Sequence, residues 1–337
     1  MIGGFLSLLS AVTFAYANAS VRRGVLTGTV LQAVAISLPV ALPFFILAML
    51  VSGGFPALAG FNTRALILLA LAGIVHFALA RYCNYRATKA IGANLVAPVQ
   101  QYSLIITLVL AIAWLGEALT PLRILGIILV VAGPTLTLGP DKKAAAAAVS
   151  PGDAGNIKRF NPEYREGYVF ALLSAVGFGI SPTLIGMALQ TKGLAIGIAG
   201  GFVSYVAATL LIGLALLVPS QRRSFRSIDG ESAKWFLISG IVVGLSQMFR
   251  YMALAIAPVS VVAPIMRLSM VFRIYFGALL NPHREVFGGR LIAGTLISLV
   301  GAIALSASTD SILSLLPLSA PVVSFLTWTW QGTLVWP

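Results

Sequence analysis

Three arginines of this chain, Arg250, Arg267 and Arg273, fall inside long apolar runs instead of between them. Arg267 is the most informative. It lies about nine residues into its run, so at 1.5 Å per residue it stands roughly 13 Å from the end, too deep for easy snorkelling. A charge in hydrocarbon costs several kcal/mol unless it is paired or hydrated, so the group is expected to face a protein interior. Yet all nine acidic residues fall in connections, at run ends or in the tail. A guanidinium without an acidic mate can take its counter-charge from an anionic solute or from a zwitterion bearing a carboxylate. Helix-end carbonyls or water are the structural alternative.

Other polar residues join it by spacing. Asn94, Pro98 and Gln101 stand at i, i+4 and i+7 and so line one face of a helix; Ser260, Pro264 and Arg267 answer them later in the chain. With Gln247 and Arg250 from a neighbouring run, the candidate substrate-binding residues are Arg267, Arg250, Gln101, Gln247, Asn94 and Ser260. Tyr85 and Tyr251 extend this lining. The prolines free a carbonyl and loosen the helix, which serves either a bending wall or a static kink absorbed by packing. His76 can titrate near neutrality, although a lone histidine on an apolar helix is more often a hydrogen-bonded packing residue. Proton coupling would have to use His76 or an interfacial group such as Glu117 or Glu285.

Several chemistries find no support. There is no GxSxG, no phosphate loop, no HExxH and no acidic pair within a run, so no enzyme is expected. Cys83 is the single cysteine and has no second thiol for a disulfide or a metal, and no cofactor is implied. The net charge of +13 would point to nucleic acid in a soluble protein. Here the basic residues sit mainly between apolar runs without an aromatic-interleaved face, so topology explains them and no nucleic-acid partner is expected.

The elements that must position these residues are membrane helices. Of the 337 residues 59% are hydrophobic and 9% charged, against about 25% charged in soluble domains. Runs such as Thr29 to Val51, Ile91 to Leu115, Tyr168 to Gln190 and Gly193 to Val218 exceed the roughly 20 residues needed to span a bilayer as helix. The runs predict spans near 3–21, 29–51, 64–82, 91–115, 121–139, 168–190, 193–218, 235–257, 258–280 and 290–308, five in each half. Ala17-Asn18-Ala19 resembles a signal-peptide cleavage site, but the missing basic n-region and the return of Leu8 to Val12 at Leu172 to Val176 argue that this span is kept.

The halves are copies. Tyr85 to Ser103 returns at Tyr251 to Ser269, matching at Tyr85 and Tyr251, Ala87 and Ala253, Val96 and Val262, Ala97 and Ala263, Pro98 and Pro264, and Ser103 and Ser269. Further on, Glu117 answers Glu285, Gly126 answers Gly294 and Gly133 answers Gly301; glycines seven apart lie on nearly one face and let a neighbouring helix approach. The expected organisation is 1–139 as a first five-helix repeat, 140–167 as a polar linker and 168–308 as a second repeat. The apolar tail 309–337, with Trp328, Trp330 and Trp336 but broken by Pro317 and Pro321, is expected to be interfacial or an eleventh span.

An odd number of spans per copy inverts the second relative to the first, an arrangement typical of secondary transporters with midplane sites where the repeats meet. Charge follows suit. Most Lys and Arg, among them Arg22, Arg23, Arg81, Arg86, Lys89 and Arg290, stand at one set of span ends, while Arg64, Arg123 and Lys192 stand at the other. The positive-inside rule then places the N-terminus outside.

The five-plus-five plan, the segments Ala97-Pro98-Val99 and Ala263-Pro264-Ile265, Gly116-Glu117 followed by Gly126 and Gly133, and the small polar first span resemble the ten-span EamA-like members of the drug/metabolite transporter superfamily. The likeness covers nearly the whole chain except the linker and the tail after Ser308. It implies two inverted five-helix repeats that move small metabolites, often exporting amino acids or related compounds across the inner membrane. Arg284 stands where the first copy has Gly116, which departs from the motif. Ten-span members usually keep both termini in the cytoplasm, whereas the charge count here argues for the reverse.

The sequence therefore predicts an all-α integral membrane protein of ten transmembrane helices in two inverted five-helix repeats. Its expected function is alternating-access transport of an amino acid or other carboxylate-bearing solute, in the export direction, in a bacterial inner membrane. Its expected partners are a small-molecule substrate and the bilayer, as a monomer or homodimer. The alternatives are an exporter of amphipathic drugs, a lipid-linked sugar flippase, or a membrane scaffold that transports nothing.

Overall fold

A computed structural model describes residues 2–115, 120–137, 162–189, 193–256, 262, 265–282, 285 and 287–306, together with the single positions 321, 323 and 328. Residues 140–161 of the linker expected at 140–167, most of the tail, Glu117 and Ser260 lie outside the described residues.

The apolar runs fold as helices because a backbone in hydrocarbon must satisfy its own hydrogen bonds. α1 is Ile2–Gly24, and the second run is divided into α2 (Val30–Ser37) and α3 (Leu42–Ser52). Thr29 and Gln32 close a capping box at the start of α2, satisfying end amides that lipid could not. A short α4 (Gly54–Ala59) leads to α5 (Thr63–Gly73), which continues through a π-helical segment, Ile74–Ala80, into α6 (Arg81–Ile91). Gly92 then separates α7 (Ala93–Val99) from what precedes it, and α8 (Tyr102–Leu115) and α9 (Pro121–Thr137) complete the first half.

The second half comprises α10 (Tyr164–Ala188), α11 (Leu194–Ala215), a polar α12 (Pro219–Arg226), α13 (Gly230–Ile256), α14 (Ser269–Leu280) and α15 (Gly289–Ser306). Among the described residues, six stretches are long and apolar enough to cross a membrane: Ile2–Gly24, Val30–Ser52, Thr63–Ile91, Tyr164–Ala188, Leu194–Ala215 and Gly230–Ile256. Pro121–Leu136 and Gly289–Ala304 are shorter apolar helices. Exposed side chains such as Leu47, Leu50, Val51, Leu210, Leu214 and Leu279 form an outer surface suited to lipid.

The expected fourth span is not one straight helix. Pro98 has no backbone N–H to donate within α7, which ends at Val99, and a turn at Gln100 and Gln101 leads into α8. The third span is longer than its apolar run, since helical structure carries on past Ala80 to Ile91.

Each half packs across the other in a matched pattern. α1 lies against α13 and α14, while α10 lies against the α5 to α6 span and against α8. α11 packs on α3 and α5, and α9 packs on α15. In that last pair the glycines meet reciprocally. A methyl group at Gly133 would press on Ser298 and the Gly294 carbonyl, and one at Gly301 would press on Val130 and the Gly126 carbonyl. Small residues at these points allow the backbones to touch, the packing role expected of them.

Candidate functional site

Among the described residues, two groups of buried polar side chains carry charge. The first is built on the π-helical segment. A π turn bonds i to i+5, so His76 and Arg81 stand roughly one above the other; in an α-helix, five residues at 100° each would leave them about 140° apart. Both side chains are buried, His76 at 7% and Arg81 at 4% exposure.

Arg250 of α13 reaches this face, with Nη1 3.2 Å from His76 Nε2 and 3.1 Å from Gln247 Oε1. A guanidinium only donates, so His76 Nε2 accepts, and the ring proton sits on Nδ1. The ring is held in place by Phe77 and Phe178, with centroids 4.8 and 4.6 Å away. Arg81 donates through Nη2 to the Tyr205 hydroxyl at 2.9 Å and lies over the rings of Phe77 and Tyr205. Tyr251 donates to Ser204, whose hydroxyl donates to the Leu69 carbonyl, and this ties α13 to α11 and α5. Gly73 makes that approach possible, because any side chain there would collide with Ser204.

Charge in this cluster has one sign. Arg81, Arg250 and His76 have no carboxylate partner among the described residues, and Arg267 is near enough to feel the charge of Arg250. Several buried donors have no acceptor among the described residues: Arg81 Nη1, His76 Nδ1 and Arg267 Nε. Leaving a buried donor unsatisfied costs about 1–3 kcal/mol, and more for a charged group, so an acceptor beside any of these donors would be stabilising.

The second cluster lies where the α14 to α15 connection meets α1 and α7. Glu285 is expected from sequence to be interfacial, but its side chain is fully buried and makes an ion pair with Arg22 of α1, Nε to Oε1 at 3.7 Å. Its two oxygens accept the backbone N–H groups of Ala93 and Asn94 at 2.8 and 3.1 Å, closing the start of α7. Gly92, at φ 85°, is needed here, since a side chain would be strained and its Cβ would stand 2.5 Å from Glu285 Oε2. Burial pushes the Glu285 carboxyl above the usual carboxylate range, while the Arg22 guanidinium and the Asn94 and Ala93 amides pull it back. Arg22 also donates to the Thr88 and Lys89 carbonyls, Arg23 to Leu280, and Asn281 to Ala19.

Of the residues picked from sequence, Arg250 and Gln247 come together directly and Arg267 lies within their field. Asn94 belongs to the Glu285 cluster, with its side chain against Gly277. Gln101 is buried but turns back on its own helix, toward the Ala97 carbonyl at 3.4 Å. The turn after Pro98 breaks the straight stripe assumed for Asn94 and Gln101. Ser260 is outside the described residues.

Arg81 and Arg22 were the residues missed. Both stand at the ends of apolar runs and count there as topological charges, yet they are buried at 4% and 0%. A chain of amides was missed as well: Gln100 donates to Asn84, Asn84 to Asn18, and Asn18 to the Phe14 carbonyl. No group of three or more His, Cys, Asp or Glu suited to a metal occurs among the described residues.

A solved structure titled "Crystal structure of protein" shares the fold, with a TM-score of 0.55 at 19% identity over 90% of this chain and 94% of that one. No curated protein sequence matches the chain. The family model of the EamA-like transporters matches residues 1–139, the stretch that ends with α9. A multi-pass helical membrane protein is what such a transporter requires, and residues 1–139 of this chain are similar to the EamA-like transporter family.

Proposed function

We propose that this protein is a secondary transporter of an anionic small metabolite, an amino acid or other carboxylate-bearing solute, held between two inverted five-helix halves that alternate access. Arg250 is the primary anion contact, oriented by Gln247 and His76, with Arg267 adding to the positive field. The observation that carries this reading is a buried guanidinium donating to a histidine and a glutamine, with no carboxylate partner among the described residues. Isolated buried charge costs several kcal/mol, and an anionic solute would offset that cost whenever it binds.

The packing supports the two-half reading. α1 with α13 and α14 corresponds to α10 with the α5 to α6 span and α8 when the sequence copies are exchanged, and the α9 to α15 contact maps onto itself. Export through a bacterial inner membrane is the direction and place that the family resemblance carries. An amphipathic cationic drug fits this interior poorly, because like charges repel in a low-dielectric site.

Purified protein in liposomes, assayed for uptake against a metabolite panel with and without a pH gradient, tests the proposal. Uptake confined to anionic and carboxylate-bearing solutes is expected. Equal uptake of neutral or cationic solutes, or none of any kind, would overturn it.

A further inference from the structure

Arg81 gives the proposed anion site a second pole. It comes from the first half of the chain, whereas Arg250 comes from the second, and His76 neighbours both: five residues before Arg81 along the π-helical segment, and 3.2 Å from Arg250.

The structural explanation for Arg81 is that Tyr205 and the ring of Phe77 hold it. Two aromatic faces at about 2 kcal/mol each, with a charge-assisted bond to the Tyr205 hydroxyl, offset much of the several kcal/mol that burying the charge costs. Nη1 still has no acceptor among the described residues. Tyr205 and Phe77 therefore orient the guanidinium and leave one of its donors open. His76 Nδ1, which carries the ring proton, is a further open donor among the described residues.

We infer that the transported solute is an organic dianion whose two charged groups are held separately, one by Arg250 and the other by Arg81, with His76 as a further donor. This rests on the anion reading above and narrows its substrate class. A monoanion would neutralise one guanidinium and leave the other buried and uncompensated. Such a solute would bind with an affinity lower by about tenfold or more, as expected for loss of a charge-assisted hydrogen bond. A dicarboxylate or a phosphorylated carboxylic acid satisfies both.

Thermal stabilisation of the purified full chain separates the possibilities, with the dicarboxylate series from oxalate to adipate, the monoanion succinamate and inorganic phosphate as probes. One dicarboxylate is expected to stabilise at concentrations at least about tenfold below succinamate, and chain length should show an optimum, because two fixed cations set one spacing. Phosphate, with its charge on one centre, should behave like the monoanion.

In Arg81→Gln the dicarboxylate advantage should disappear while succinamate still stabilises; Arg81→Lys should retain part of it. Succinamate equal to every dicarboxylate in the wild type, or Arg81→Gln weakening both probes alike, would overturn the dianion inference and leave the anion site standing. Phosphate outperforming the whole series would overturn it in favour of a single-centre site. Absence of stabilisation by any of these anions would remove the anion reading itself. Should Arg81→Gln fail to fold, the wild-type comparison of succinate with succinamate still decides.

Discussion

At the residue scale, the buried positive charge around Arg81 and Arg250 has no carboxylate partner among the described residues. Arg250 is expected to be the most sensitive position. Arg250→Gln keeps much of the side-chain length and hydrogen-bonding capacity but removes the charge, and should lower the initial rate of anion uptake by about tenfold to a hundredfold, as for loss of a charged hydrogen bond worth 1.5–3 kcal/mol. Arg267→Ala should likewise abolish transport of an anionic solute with expression intact; a normally transporting variant would remove Arg267 from the site. His76→Phe retains an aromatic ring between Phe77 and Phe178 but removes the acceptor for Arg250, so folding should persist while uptake falls. Membrane expression measured beside uptake distinguishes these outcomes from misfolding.

At the element scale, Glu285 joins the α14 to α15 connection to α1 and α7. Glu285→Ala would remove a carboxylate from the buried Arg22 and the side-chain acceptor of two α7 amides, at a cost of about 3–5 kcal/mol by analogy with other broken buried pairs. Thermal unfolding in detergent reads this, and the double variant with Arg22→Ala should recover part of the loss. The sign with pH follows from burial. A carboxyl whose folded pKa lies above its unfolded value binds its proton more tightly in the folded state, so mild acid favours folding and the benefit fades as pH rises through the folded pKa. Glu285→Gln should flatten that dependence between mildly acidic and neutral buffer.

The helices themselves were largely legible in the sequence, because a bilayer leaves apolar runs of about 20 residues little alternative. Their ends were not. Arg81 stands just after an apolar run and reads as a solvated charge, but backbone hydrogen bonding continues from the π segment to Ile91 and carries it into the interior. The π segment has no apolar signature of its own, so the alignment of His76 with Arg81 could not be foreseen. Arg22 and Glu285 lie in connections by any run count, and only tertiary packing shows that they close on each other. The amide chain through Asn18, Asn84 and Gln100 was obscured for the same reason: single polar residues in separate runs acquire meaning once the runs are adjacent.

At the scale of the whole molecule, the reciprocal glycines of α9 and α15 and the exchanged helix partners favour two similar halves meeting around the cationic cluster. Gly133→Leu should force α9 from α15, where the Gly294 carbonyl and Ser298 leave no room, and reduce stability without altering which solutes are accepted. Orientation is a separate question. Discounting the buried Arg22 and Arg81 still leaves the basic residues concentrated at one set of helix ends, and a C-terminal reporter fusion is expected to follow that bias.

The most direct measurement is uptake by proteoliposomes of a carboxylate and its uncharged amide, for the wild type and for Arg250→Gln. A cationic interior that binds its cargo by charge predicts uptake of the carboxylate alone and its loss in the variant, with protein incorporation unchanged. Comparable uptake of the amide, or an undiminished rate in Arg250→Gln, would contradict it.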